Sequence, residues 1–183
     1  MKNQNTKAVF LDRDGVVNKL VVINGERTSP KSLDQFEIFP NLSQVLSKIR
    51  EQYLIIIVTN QPDIARKKLS VTELEKMHAK LREQIEIDDL YVCEHDDVDN
   101  CLCRKPKPGL IINAAKKWNI DLKDSIIVGD SWRDMLAGEK VGLTKYYVDP
   151  CGNDSHNNKI QFKYDHRVKN LKDAGKAIYE NFY

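Results

Sequence analysis

Short apolar runs alternating with segments of helical period constrain this chain more than any other feature. Ala8–Leu11, Tyr53–Val58, Leu90–Cys93, Ser125–Val128 and Thr144–Val148 are rich in β-branched and aromatic residues and too short for core helices, so they read as buried strands. Residues 41–51 set Leu42, Val45, Leu46 and Ile49 at helical spacing, with Pro40 beside the start. Ser70 opens a second helix with Glu73 placed for a capping box, and Leu74, Met77, His78, Leu81 and Ile85 form its stripe. Within it, His78 is expected to be a partly exposed helix residue and not a ligand. Helices over Gly109–Trp118, Trp132–Lys140 and Leu171–Tyr179, with a short strand at Arg167–Val168, continue the alternation. Residues 150–163, with Gly152, Asn153, Asn157 and Asn158, read as an irregular loop. Strand–helix–strand units imply parallel strands joined by right-handed crossovers. The predicted fold class is therefore α/β, a three-layer α/β/α sandwich on a mostly parallel, doubly wound sheet. A length of 183 residues with 41% hydrophobic content suits a single domain spanning residues 1–183.

Polar residues collect where the apolar runs end. Asp12 and Asp14 follow the first run, Thr59 and Asn60 the second, and Gly129-Asp130 the fourth, with Asp134 one helical turn later. In an open α/β sheet the carboxyl ends of the strands border the ligand crevice, so these groups converge although they are far apart in sequence. Asp12 and Asp14 taken alone fit turn-forming acids equally well. Together with a hydroxyl and the nearby Lys105, the carboxylates suit a Mg2+ ion holding a phosphate, because a hard cation takes carboxylate oxygens and a substrate oxygen.

A second constellation follows the third run. Cys93-Glu94-His95 and Cys101-Leu102-Cys103 supply a Cys3His set suited to tetrahedral Zn2+. Four protein ligands leave no open position, so this zinc is expected to be structural, closing a loop over residues 93–103 directly ahead of Arg104 and Lys105. Glu94, Asp96, Asp97 and Asp99 are expected to face water. The fourth cysteine, Cys151, stands apart.

The 29 basic and 27 acidic residues leave a net charge of only +2, which gives no global field for nucleic acid or a membrane surface. No apolar stretch approaches transmembrane length and no signal peptide is visible, so the expectation is a cytoplasmic protein, monomeric, with a small-molecule partner.

Four of these groups in order, Phe-Leu-Asp-Arg-Asp-Gly-Val-Val-Asn at 10–18, Thr59-Asn60, Lys105, and Gly129-Asp130-Ser131 with Asp134, resemble the motifs of the haloacid dehalogenase superfamily of phosphohydrolases. The resemblance spans residues 8–148. It implies Asp12 as the nucleophile that forms an aspartyl phosphate, and Asp14 as the general acid and then base. It further implies Mg2+ held by the Asp12 and Asp130 carboxylates and the Asp14 backbone carbonyl, with Lys105 and the Thr59 hydroxyl on the transferring phosphoryl group.

The zinc loop followed by Cys-Arg-Lys-Pro-Lys-Pro-Gly, with Thr-Asn-Gln-Pro-Asp-Ile-Ala-Arg at 59–66, is similar to the subgroup that contains the heptose 1,7-bisphosphate 7-phosphatases and the histidinol-phosphatase domains. Members have no large cap domain, and the insert at 19–39 is too short for one. The resemblance implies a small phosphorylated sugar as substrate and a route to nucleotide-activated heptose. It gives Arg104 to the distal phosphate, in a cationic pocket that Lys67 and Lys68 could join. Asn18 is expected near the substrate, whereas Arg27, Thr28 and Pro30 are expected in an ordinary surface turn. One departure stands out: Lys67-Lys68 occupies a place where glycine commonly follows the arginine.

Overall fold

The computed structural model describes residues 6–150 and 160–180, so Cys151 and most of the expected 150–163 loop lie outside the described residues. Strands β1 (Ala8–Leu11), β4 (Leu54–Asn60), β5 (Asp89–Cys93), β6 (Ile126–Gly129), β7 (Thr144–Val148) and β8 (His166–Val168) form one sheet in the order β5-β4-β1-β6-β7-β8. Every pairing in it is parallel. Between β1 and β4 the insert folds into an antiparallel hairpin, β2 (Val21–Ile23) and β3 (Glu26–Thr28), which the sequence pattern did not announce.

Helices cover both faces. Val9, Leu11, Ile55 and Ile57 pack with α1 (Leu42–Ile49), α2 (Val71–Gln84) and α5 (Leu171–Glu180). The alternate residues Ala8, Phe10, Ile56 and Val58 pack with α3 (Gly109–Trp118) and α4 (Trp132–Glu139). Two covered faces explain why β1 is apolar at every position instead of at alternate ones. Each of its large side chains, fully buried, contributes on the order of 1.5–3 kcal/mol. Packing of α5 onto α1 is close enough that a Cβ on Gly175 would lie 2.1 Å from Val45 Cγ1.

The chain runs outward from β1 through β4 to β5, then returns by α3 to β6 on the other side of β1. That reversal opens a crevice at the carboxyl ends of β1, β4 and β6. No helix among the described residues is long and apolar enough to cross a membrane.

Two local expectations are corrected. Ser70 caps α2 by accepting from Glu73 N–H (3.1 Å), but the Glu73 carboxylate does not close the box. It accepts from the Leu33 N–H (2.6 Å) and so ties α2 to the insert. His78 is buried, 3% exposed, because α2 turns it toward a charged side chain beneath the crevice.

Candidate active site

Asp12 leaves the end of β1 with its backbone N–H on Val128 O, and residues 13–18 coil into a tight loop, Gly15 N–H to Asn18 O and Val17 N–H to Arg13 O. Two glycines are needed at this edge. Gly15 adopts φ +84°, and a Cβ there would lie 2.0 Å from Asp130 Oδ2; a Cβ on Gly129 would lie 2.2 Å from Asp134 Cβ. The acids thus close on one another only because the backbone carries no side chain where they meet.

Carboxylate oxygens of Asp12, Asp130 and Asp134 lie within 4.8 Å of one another. Lys105 reaches across the crevice, its buried ammonium donating to Asp134 Oδ1 (2.5 Å), Asp12 Oδ1 (2.9 Å) and Val58 O (2.7 Å). Asn60 fixes the lysine's backbone, accepting its N–H and donating to its carbonyl, both at 3.0 Å. Asp134 also accepts from the Ser131 hydroxyl and completes the cap of α4.

One ammonium does not balance three carboxylates this close together. Burial raises the Asp12 pKa to about 7; Lys105 opposes the rise, while Asp134 and Asp14 add to it. Asp130 is pushed well above the ordinary carboxylate range by burial, then by Asp12 and Asp134. Burial would lower the Lys105 pKa, yet Asp12 and Asp134 hold it above its ordinary value. Excess negative charge on oxygen ligands in a buried crevice is what a hard divalent cation neutralises, so the donor set fits Mg2+.

Asp14 sits in a different environment. Arg13, fully buried, donates to it from Nε (3.1 Å) and Nη2 (3.0 Å to each oxygen), Asn18 Nδ2 donates to Oδ1 (2.9 Å) and Gln61 Nε2 to Oδ2 (2.8 Å). Burial alone would raise its pKa, but Arg13 and the bonds from Asn18 and Gln61 outweigh burial and hold it below the ordinary range. Asn18, expected near the substrate, is fully buried behind Asp14, to which it donates, and is not among the residues that line the crevice. Thr59 is also buried, its hydroxyl accepting from Gln61 (2.8 Å). Nothing in the sequence marked Gln61 except its place directly after the second motif.

The crevice is a 460 Å3 cavity bordered by Asp12, Asp14, Asn60, Lys105 and Asp130, with Arg27, Arg66, Arg104 and Arg133 around its walls. Arg104 is held by Asp97, Nε to Oδ1 at 2.7 Å, and by the His95 carbonyl. Arg66 is paired with Asp96. Glu94, Asp97 and Asp99 are exposed, as expected, whereas Asp96 is half-buried by its arginine. Arg27 and Thr28 are not in a remote turn, because the β2–β3 hairpin brings them to the cavity wall. Neither Lys67 nor Lys68 lines the cavity; Lys68 borders a smaller adjoining hollow. Lys67 takes φ +57°, a left-handed conformation, at the place where the resemblance has glycine. Arg133 was missed altogether, although its position directly before Asp134, at the start of a helix facing the strand ends, could have signalled it.

The cysteine loop closes on itself. The Cys93, Cys101 and Cys103 sulfurs lie 3.2–3.6 Å apart, and His95 Nδ1 lies 3.7 Å from Cys93 Sγ and 3.3 Å from Cys103 Sγ. Sulfurs on a tetrahedron with Zn–S bonds of ~2.3 Å would be about 3.8 Å apart, close to the observed spacing. Gly109 lets the loop rest on α3, since a Cβ there would lie 2.3 Å from Leu102 O.

Comparison with known proteins adds relatives to this geometry. The sequence profile of the haloacid dehalogenase-like hydrolases matches residues 19–142, beginning just after the Asp12–Asn18 stretch. A D-glycero-alpha-D-manno-heptose-1,7-bisphosphate 7-phosphatase from Photorhabdus laumondii is 37% identical over 165 residues, 83% of this chain and 87% of the relative. A D-glycero-beta-D-manno-heptose-1,7-bisphosphate 7-phosphatase from Neisseria meningitidis is 36% identical, covering 74% of this chain and 73% of its own. Among solved structures, the D,D-heptose 1,7-bisphosphate phosphatase of B. bronchiseptica, complexed with magnesium and phosphate, superposes with a TM-score of 0.80 at 26% identity, over 96% of this chain and 99% of the other.

Proposed function

The chain belongs to the haloacid dehalogenase-like hydrolases, and we propose that within that family it is a Mg2+-dependent phosphomonoesterase that removes the 7-phosphate of D-glycero-D-manno-heptose 1,7-bisphosphate, leaving heptose 1-phosphate. The observation that carries this reading is the charge of the cavity: a phosphoryl-transfer floor of Asp12 and Lys105 beneath a wall of arginines, with volume for a bisphosphorylated sugar. Phosphate is the group that guanidinium donors recognise best. Asp97, the wall acid, is already paired with Arg104, so the wall offers little to the ammonium group of an amino alcohol phosphate.

In this reading an Asp12 carboxylate oxygen forms the bond to phosphorus while the bond from phosphorus to the C7 oxygen breaks. Asp14 gives the leaving alkoxide its proton. A water then attacks the aspartyl phosphate, Asp14 takes its proton, and Asp12 is regenerated as phosphate departs. Asp14, held below the ordinary carboxylate range in the free protein, takes up the proton it donates as the substrate binds, and it gives the one gained from water back to solvent. Lys105 neutralises the phosphoryl oxygens, and the Thr59 hydroxyl, which accepts from Gln61, keeps its own proton to donate to them. The Asp12 and Asp130 carboxylates and the Asp14 carbonyl would hold Mg2+, which when bound supplies the positive charge that lets a phosphate dianion approach Asp12. Arg104 would take the distal phosphate.

Side-by-side turnover tests the substrate. The alpha or beta heptose 1,7-bisphosphate should be hydrolysed with a kcat/KM at least about 100-fold above that of histidinol phosphate, the size of effect that pairing a distal dianion with guanidinium groups produces. Preference for histidinol phosphate would reject the assignment.

Zn2+ in the Cys93, His95, Cys101 and Cys103 site completes the proposal as a structural ion. Metal analysis of the purified protein should find about one zinc per chain, and chelation should lower the melting temperature, because metal binding to such a site is folding free energy.

A further inference from the structure

Arg13 is among the largest fully buried side chains of the described residues and carries a charge, so something other than packing keeps it there. Its Nε and Nη2 donate to Asp14. On its other edge Nη1 donates to His78 Nε2 at 3.1 Å, across a sequence separation of 65 residues. The ring of Phe36, from the insert, lies under the guanidinium with its centroid 5.4 Å away. The insert is itself held to α2 by the Glu73–Leu33 bond and by Lys80 donating to Phe36 O.

His78 can fill this role only as a neutral ring with Nε2 unprotonated, since arginine has no acceptor to offer. Burial, with Arg13 and Arg82 beside it, lowers its pKa to about 4 against the opposing pull of Asp14. Its Nδ1 then carries the proton, facing Glu75 Oε1 at 3.8 Å.

We propose that Arg13 and His78 are positioning residues: α2, through the neutral His78 imidazole, mounts the Arg13 guanidinium that aims the Asp14 carboxylate at the reacting oxygen. Asp14 is anchored on a loop, and without the mount its side chain would be held only by the amides of Asn18 and Gln61. The proposal rests on the phosphatase reading, and it separates the two halves of that chemistry. Attack by Asp12 does not need the mount, whereas both proton transfers do.

The test uses a substrate whose leaving group needs no proton. With p-nitrophenyl phosphate, the first p-nitrophenolate released per site in a rapid-quench experiment should be formed by His78→Leu within about twofold of the wild-type rate. Steady-state phosphate release, which needs Asp14 as base, and kcat on an alkyl phosphate, which needs it as acid, should fall about 10-fold or more, with KM little changed. His78→Gln keeps an acceptor for Arg13 and should recover most of the loss. Equal slowing of the first release and of steady-state turnover would mean a structural defect and overturn the proposal. So would unchanged kinetics, or a folded His78→Gln as impaired as His78→Leu. A wild-type protein that releases phosphate from neither p-nitrophenyl phosphate nor heptose 1,7-bisphosphate would instead remove the phosphatase reading, and the proposal with it.

Discussion

Asp12→Asn is expected to give a folded protein that releases phosphate from heptose 1,7-bisphosphate at least about 10^4-fold more slowly than the wild type, since it deletes the attacking oxygen while keeping the shape of the side chain. The stability of the same variant moves the other way. Asp12 is raised to about 7 in the folded state against 3.8 for an ordinary aspartate. A carboxyl whose folded pKa is raised contributes fully below its unfolded value, and that contribution is lost as pH rises through the folded value. At pH 8 without divalent metal the wild type therefore bears the whole cost of an ionised Asp12 beside Asp130 and Asp134, and the asparagine bears none. Thermal melts at pH 8 in the presence of a chelator for Mg2+ should place the variant at or above the wild type. A turnover rate equal to wild type would reject Asp12 as nucleophile.

Lys105→Met is expected to lose both activity and stability. The ammonium donates to Asp12, Asp134 and the Val58 carbonyl, and it is the only cation in direct contact with Asp12 among the described residues. Methionine matches the length of the lysine stem but offers these acceptors neither a proton nor a positive charge. Removing one partner from a buried ion pair costs about 3–5 kcal/mol, chiefly because the remaining charge stays buried. The variant should show a lower midpoint in denaturant, by about that free energy. Activity should fall by at least about 10^3-fold even under conditions where the variant is folded, because the charge on the transferring phosphoryl group is no longer neutralised. Mg2+ should narrow the stability gap but not the rate gap: it supplies charge to the carboxylates, not a donor at the position of Nζ.

The two variants divide the site as the fold does. Asp12 sits at the end of β1, whose alternating faces and full burial are written in the residues themselves. Lys105 comes from the far end of the zinc loop and meets Asp12 only because that loop leads back from β5 to the end of β4, where Asn60 and the Val58 carbonyl hold the lysine next to β1. The apolar runs identified the strands to within a residue or two, and β4 ran slightly further, through Thr59 and Asn60, because those residues continue the ladder with β5. Their polar termini identified the edge at which the acids, Thr59, Asn60 and Lys105 assemble. The cysteine spacing foretold the cluster of Cys93, His95, Cys101 and Cys103, because residues within one short loop cannot lie far apart.

Side chains whose role depends on what lies across the crevice were not legible in the same way. Asn18 has the residue type and place of a substrate contact, but the loop after Asp14 turns it inward. His78 belongs to an apolar helical stripe and was expected at its partly exposed margin, whereas Arg13 waits beneath it. Arg27 and Arg133 reach the cavity through a hairpin and a helix start that have no periodic marking.

Period and spacing are local properties. Burial on two faces or on one stripe must be satisfied within each strand or helix, so the residues record it directly, and with it the sheet, the helices and the loop that gathers the cysteines. The pairing of Asp14 with Arg13, Asn18 and Gln61, the mounting of Arg13 on His78, and the arginine wall depend on which elements the crossovers bring together. Polar groups find partners by distance and direction across the fold, and those are quantities that only the tertiary structure supplies.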